Sequence, residues 1–248
     1  FLNRKKMFEI NYSKINSYLF CPYLYKFSYI DRKYTQHNPK TSFGLSVHRT
    51  LKDFAQKRLD LKKLLFAYEE NWCNYGYITP QEMLEYYDMG IEMLKKFYDA
   101  ELKNGSKILY AEDIFKVEIA DDIVLRGTVD RVDKTEDGKI EIVDYKIGFE
   151  EKENGYEKDF LQLKIYAYGI SKKYSINIDY ISYYFLMNQK KIRIEYKPDD
   201  DLIPFLIDCY KKIQFPVFDR KGRCDICLAK NLCEFSDFKK DSEIPPSL

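Results

Sequence analysis

No stretch of this 248-residue chain is apolar for long enough to cross a bilayer. The opening Phe1-Leu2-Asn3-Arg4-Lys5-Lys6 supplies basic residues without the apolar run of a secretory leader, so the cytoplasm is the expected location. Neither sign of charge dominates. The 41 Lys and Arg stand against 40 Asp and Glu, a net charge of +1, so no global positive field draws the protein to nucleic acid and any such contact must rest on a local patch. A phosphate-binding G-x4-G-K-[ST] loop is missing, and any helicase activity must therefore come from another chain. Repeats and low-complexity tracts are absent too. Histidine is scarce, at 2 residues, and the 6 cysteines are unevenly spaced, which in a reducing compartment suits ligand or core thiols better than a disulfide framework.

The remaining composition, 45% hydrophobic and 33% charged, excludes a disordered chain and an integral membrane protein. The length suits one domain with an insertion. Residues 1–6 precede Met7 and are set aside from the fold reasoning. Ser13 or Ser17 is the expected cap of an N-terminal helix running to Cys21-Pro22. Asp31 to Thr41 reads as irregular, and helical spacing resumes at Phe43 through Val47, His48, Leu51 and Phe54. Residues 59–103 stay helical in pattern and read as a helical insertion. Alternation then takes over in three consecutive antiparallel strands, with turns at Asp121-Asp122 and Glu136-Asp137-Gly138-Lys139. A helix from Asp159 to Lys172, a strand pair joined at Asn188-Gln189, a helix from Asp200 to Ile213 and an irregular tail from Phe215-Pro216 complete the reading.

Chemistry concentrates on the third strand. Alternate side chains of a strand share a face, so Asp144 and Lys146 project together while Tyr145 points the other way. The hairpin brings Asp130 close to Asp144, and two convergent carboxylates suit a hard cation such as Mg²⁺. His48, approaching from its helix, would add an imidazole that also tolerates Mn²⁺. Each piece alone has a plainer reading: a D-x-K triplet is usually a solvated strand face, and a lone His on an apolar stripe usually a core residue. Arg131 alternates away from Asp130 and reads as a structural ion pair; Asp133 reads as a turn residue.

Taken together, G-x-x-D-R-x-D at Gly127 to Asp133, V-D-Y-K-x-G at Val143 to Gly148, Q-x3-Y at Gln162 to Tyr166 and G-x3-H at Gly44 to His48 resemble, in kind and in order, the RecB-like branch of the PD-(D/E)XK nuclease superfamily. The similarity spans nearly the whole chain, with Ile147 where the family often has Thr. The resemblance implies an α/β fold: a restriction-endonuclease-like central mixed sheet flanked by helices, in a single domain over 1–248 with the 59–103 insertion and a metal-stapled C-terminal tail. It also implies that Asp130, Asp144, His48 and the Tyr145 carbonyl hold Mg²⁺ or Mn²⁺, that Asp130, Asp144 and Lys146 are catalytic, and that Gln162 and Tyr166 hold DNA or the lysine. Glu112 stands where the family often carries an acid; the alternative is a solvated strand residue.

Cys224, Cys227 and Cys233 form C-x2-C-x5-C, one thiolate short of a four-ligand cage. Cys21, in F-C-P-Y-L-Y-K, resembles the N-terminal cysteine of the iron–sulfur subset of this branch, which includes AddB-type nuclease domains and CRISPR-adaptation nucleases. The resemblance therefore implies a [4Fe–4S] cluster on residues 21 and 224–233, with Zn²⁺ the alternative. Cys73 and Cys209 read as buried thiols on helical stripes. The function implied is a metal-dependent deoxyribonuclease acting on DNA ends or single strands in repair, recombination or CRISPR adaptation, with a helicase or adaptation protein on a separate chain and no membrane. The alternative is a non-catalytic nucleic-acid-binding or scaffold module of the same fold.

Overall fold

A computed structural model describes residues 7–33, 38–148, 160–214, 218–221, 224–227 and 229–236; residues 1–6, Phe215-Pro216 and Asp159 lie outside the described residues. After a short strand, β1 (Phe8–Ile10), the Asn11 side chain accepts from the Lys14 N–H at 2.9 Å and opens α1 (Tyr12–Phe20). The caps expected at Ser13 and Ser17 are therefore inside the helix, because the asparagine ahead of them is at least as strong a cap. Extended Cys21 ends α1, and Pro22 starts α2 (Pro22–Tyr25), where a missing N–H costs nothing. A π-helical turn follows at Lys26–Ile30.

The next helix, α3 (Pro39–Lys57), begins earlier than its apolar stripe suggests, since Asn38 accepts from the Thr41 N–H at 2.9 Å and Pro39 occupies the first helical position. The pattern over 59–103 resolves into α4 (Leu61–Glu70) and α5 (Pro80–Glu101), capped by Asp60 and Thr79. Strands β2 (Lys107–Ala120), β3 (Ile123–Lys134) and β4 (Ile140–Lys146) come next, then α6 (Leu161–Tyr174), β5 (Tyr180–Phe185), β6 (Lys190–Glu195) and α7 (Leu202–Gln214).

The six strands form one mixed sheet in the order β1-β3-β4-β5-β6, with β2 also on β3. The ladders β2–β3, β3–β4 and β5–β6 are antiparallel. Strands β4 and β5 run parallel, and α6 is the crossover such a pair requires. Helices α3, α4 and α5 enclose Val143, Tyr145, Tyr184 and Leu186 in the main core. By strand alternation Asp144 and Lys146 face the other way, where α6 covers them.

Helix α6 sits unusually close to the strands. Fully buried Phe115 lies against Gly169 and Gly127, where an added Cβ would meet its ring at 2.3 and 2.5 Å. Burying that ring contributes about 2–3 kcal/mol, and the two glycines let it fill the narrow space that sets the height of α6 over β2 and β3.

Two ion-pair clusters are buried on the opposite face. Arg131, 1% exposed, reaches Asp133 at 2.7 Å, Glu101 at 2.8 Å and the Tyr145 hydroxyl at 3.1 Å. The structural ion pair expected of Arg131 is present; Asp133, read as a turn residue, is fully buried in that pair. Glu141 is likewise enclosed and accepts from Ser182 and from Arg193 at 2.9 and 2.5 Å.

The chain divides into two compact units. Unit 1 contains Phe1–Glu9 and Gln36–Leu202; unit 2 contains Ile10–Thr35 and Ile203–Leu248. Within unit 2, Cys21, Tyr23, Phe27 and Ala229 form a small core. Tyr23 donates to Glu234 and meets the Phe235 ring edge-on at 4.6 Å.

Candidate active site

The ladder between β3 and β4 ends at the pair Arg131–Val143, and the next residues along, Asp130 and Asp144, stand where the strands part. The Tyr145 N–H donates to Asp130 Oδ2 at 2.8 Å, so a side chain closes the sheet at its fork and fixes that carboxylate. Helix α3 brings His48 Nδ1 to 3.6 Å from the same oxygen. From β2 comes Glu112: its neighbours Ala111 and Asp113 pair with Arg131 and Val129, which sets it across from Asp130. Its backbone is left-handed, at φ 49°, a conformation a non-glycine residue adopts at some cost. His48, Glu112 and Asp130 each offer a ligand atom, all within 4.8 Å of one another.

Asp144 lies alongside with its oxygens engaged elsewhere. Lys146 Nζ is 2.7 Å from Oδ2 and forms an ion pair with it. Gln162 Nε2 donates to Oδ1 at 3.0 Å, while Lys146 donates to Gln162 Oε1 at 2.8 Å. Gln162 Nε2 also reaches the Tyr166 hydroxyl at 2.9 Å, one turn along α6. The glutamine thus ties the β4 carboxylate, the β4 ammonium and the helix together.

The electrostatics follow from burial and crowding. Asp144, 3% exposed, has its pKa pushed up to about 6, first by burial and then by the charge of Asp130, with Lys146 only partly offsetting them. Burial, then Asp130, also raises Glu112. For His48 the largest influence, desolvation, acts downward, but the hydrogen bond to Asp130 and the charges of Asp130, Asp144 and Glu112 together lift it above its ordinary value. Three carboxylates and one imidazole converge with a single ammonium among them, an excess of negative charge that favours a bound cation. Hard oxygen donors with one nitrogen and no thiol fit Mg²⁺ or Mn²⁺.

Of the residues singled out from the sequence, His48, Asp130, Asp144, Lys146, Gln162 and Tyr166 come together. The Tyr145 side chain turns away into the core, its ring 5.9 Å from that of Phe97. Glu112, left open between site and solvent, stands inside the cluster.

Within unit 2, Cys21, Cys224, Cys227 and Cys233 line one small cavity with Phe20 and Phe27. Burial pushes the Cys227 thiol up against the lowering effect of the Ala229 N–H, and the neighbouring Cys21, Cys233 and Cys224 add to the rise. Arg220 and the Lys221 N–H approach the sulfurs of Cys224 and Cys21 at 3.5 Å. Cys209 is buried on α7, as expected. Cys73 is buried too, but in the segment after α4 rather than on a helix, where its sulfur accepts from Arg49 at 3.4 Å.

Comparison with known proteins finds that the family model described as the PD-(D/E)XK nuclease superfamily matches residues 9–234. The six-stranded mixed sheet with flanking helices agrees with the restriction-endonuclease-like architecture expected from the sequence. A solved structure titled "Crystal structure of SSO0001" is similar over 78% of this chain and 84% of that chain, at 16% identity and a TM-score of 0.39. No curated protein matches the chain. Among the described residues, no helix is long and apolar enough to cross a membrane.

Proposed function

This chain belongs to the PD-(D/E)XK nuclease superfamily, and from that premise we propose that it hydrolyses phosphodiester bonds in DNA, at ends or in single strands, with Mg²⁺ or Mn²⁺ held by His48, Glu112, Asp130 and Asp144. The observation that carries the reading is the convergence of His48, Glu112 and Asp130 within 4.8 Å beside the Asp144–Lys146–Gln162 network. A divalent ion there supplies Lewis acidity toward a scissile phosphate and a water molecule. The protein's own groups do the rest. Asp130, anchored by the Tyr145 N–H, keeps a carboxylate facing the ion site; Lys146 presents N–H donors to charge developing on a phosphate oxygen; Gln162 holds that ammonium in register with Asp144.

In the same reading Cys21, Cys224, Cys227 and Cys233 carry a [4Fe–4S] cluster that fastens the two segments of unit 2, in preference to Zn²⁺. The cavity that the four thiols share, and the nearness of the other three to Cys227, support it. The setting is DNA repair, recombination or CRISPR adaptation, where a separate chain supplies strand separation or adaptation. The scaffold alternative has no observation in its favour, since the lysine is in place beside Asp144.

The test is cleavage of end-labelled single- and double-stranded DNA, with circular DNA and RNA as controls, in Mg²⁺, Mn²⁺ or EDTA. Cleavage abolished by EDTA, by Asp130→Ala and by Lys146→Ala is expected, whereas cleavage that survives all three would refute the site. Protein prepared without oxygen should be brown and contain iron and sulfide, lost in Cys21→Ala and kept in Cys73→Ala. Colourless, zinc-loaded protein would overturn the cluster alone.

A further inference from the structure

Lys146 has one neighbour that neither its charge nor its glutamine contact explains. Its Nζ lies 4.8 Å from the centroid of the Tyr183 ring. Tyr183 is on β5, directly beside Asp144 in the parallel ladder, so the two side chains leave the sheet on the same face. The ring is 3% exposed, and Phe160, two residues before Gln162, stacks on it at 5.4 Å with the planes 19° apart. Strand and helix therefore both constrain it.

We propose that Tyr183, backed by Phe160, is a positioning residue that holds the Lys146 ammonium in place over β5. The inference deepens the nuclease reading and rests on the role given there to Lys146. An aromatic face attracts a cation through its quadrupole. Unlike a further carboxylate, it adds no charge to a site that already carries Glu112, Asp130 and Asp144, and unlike an amide oxygen it occupies none of the three N–H donors of the lysine. A flexible four-carbon stem thus gains a fixed end point while its donors stay available. The contact is strongest where water is excluded, as it is around this ring.

The conservative pair Tyr183→Phe and Tyr183→Leu separates this role from packing. Phenylalanine keeps the ring face; leucine keeps apolar bulk without it. With cleavage followed under saturating Mn²⁺, Tyr183→Leu should lower kcat about tenfold with KM unchanged, because a misplaced ammonium is missed only as charge develops. Tyr183→Phe should restore kcat. A second readout needs no activity: in protein with labelled lysine, the ring current should shift the ε-methylene signal of Lys146 upfield in the wild type and in Tyr183→Phe, and the shift should vanish in Tyr183→Leu.

An unshifted Lys146 signal in the wild type, or leucine cleaving with the kcat of tyrosine, would overturn the proposal. If leucine fails to fold, the wild-type signal and Phe160→Leu, expected to reduce the shift, still decide it. A shifted signal in protein that cleaves no DNA would instead sink the nuclease reading and leave the positioning contact standing.

Discussion

Replacing Asp144 by asparagine should make the ion-free protein more stable while abolishing its chemistry. The carboxyl group is 3% exposed and its pKa lies at about 6 against an ordinary 3.8, the net result of burial, Asp130 and the partial offset from Lys146. A pKa higher in the folded than in the unfolded chain means that the folded form binds the proton more tightly. The ionised carboxylate therefore costs stability above pH 6; the cost shrinks between pH 6 and 4 and is gone below, where both states are protonated. Its full size is about 3 kcal/mol. Asparagine keeps the shape and the acceptor for Gln162 but carries no charge, so Asp144→Asn should gain about 1–3 kcal/mol at pH 8 in EDTA. Urea unfolding of both proteins at pH 8, 6 and 4 measures this. A variant less stable than the wild type at pH 8, or a gain that persists undiminished at pH 4, would refute the account of a site strained by its own charge.

Four further outcomes are expected. His48→Ala and Glu112→Gln should each weaken Mn²⁺ binding at least about tenfold by titration calorimetry. Wild-type affinity should rise with pH until His48, whose pKa is lifted, has lost its proton, because only the neutral imidazole is a ligand. Gly169→Ala should cost about 1–3 kcal/mol in thermal unfolding, since its Cβ would strike Phe115 at 2.3 Å, and Phe115→Leu in the same chain should recover part of that loss. Arg131→Met should cost about 3–5 kcal/mol in urea by stranding Glu101 and Asp133, and adding Asp133→Asn should relieve it.

The strand segment is largely legible in the sequence, because Asp130, Asp144 and Lys146 lie in runs whose period of two is clear and whose turns are marked by Asp121-Asp122 and Asp137-Gly138. Glu112 was not fixed, and the reason is register. Counted outward from the turn without interruption, the residue across from Asp130 is Asp113. The irregularity between Glu118 and Ala120 moves the pairing by one and brings Glu112 there instead. A one-residue slip exchanges the two faces of a strand, and no local signal announces the bulge. The start of α3 was missed because its cap and first turn, Asn38 to Thr41, are polar and fall outside the apolar stripe, although Asn-Pro is a recognisable opening. Gln162 was legible as a residue of the site, but its simultaneous hold on Asp144, Lys146 and Tyr166 depends on the height of α6, which two distant glycines set.

Unit 2 is assembled from two stretches of chain, and that has a consequence for timing at the ribosome. Its first stretch, Ile10–Thr35, is made early, whereas its second begins only at Ile203. Cys21 and the Lys221 N–H that approaches its sulfur are 200 positions apart. At about 5–20 residues per second, the early stretch waits roughly 10–40 s for its counterpart. Throughout that interval Tyr23 and Phe27 lack the Ala229 they pack beside, and the Cys21 thiol stands open to oxidation. All six strands of the sheet have left the peptidyl-transferase centre before Cys224 is translated, so a nascent chain released before that point would possess its acidic cluster and Cys21 without Cys224, Cys227 and Cys233.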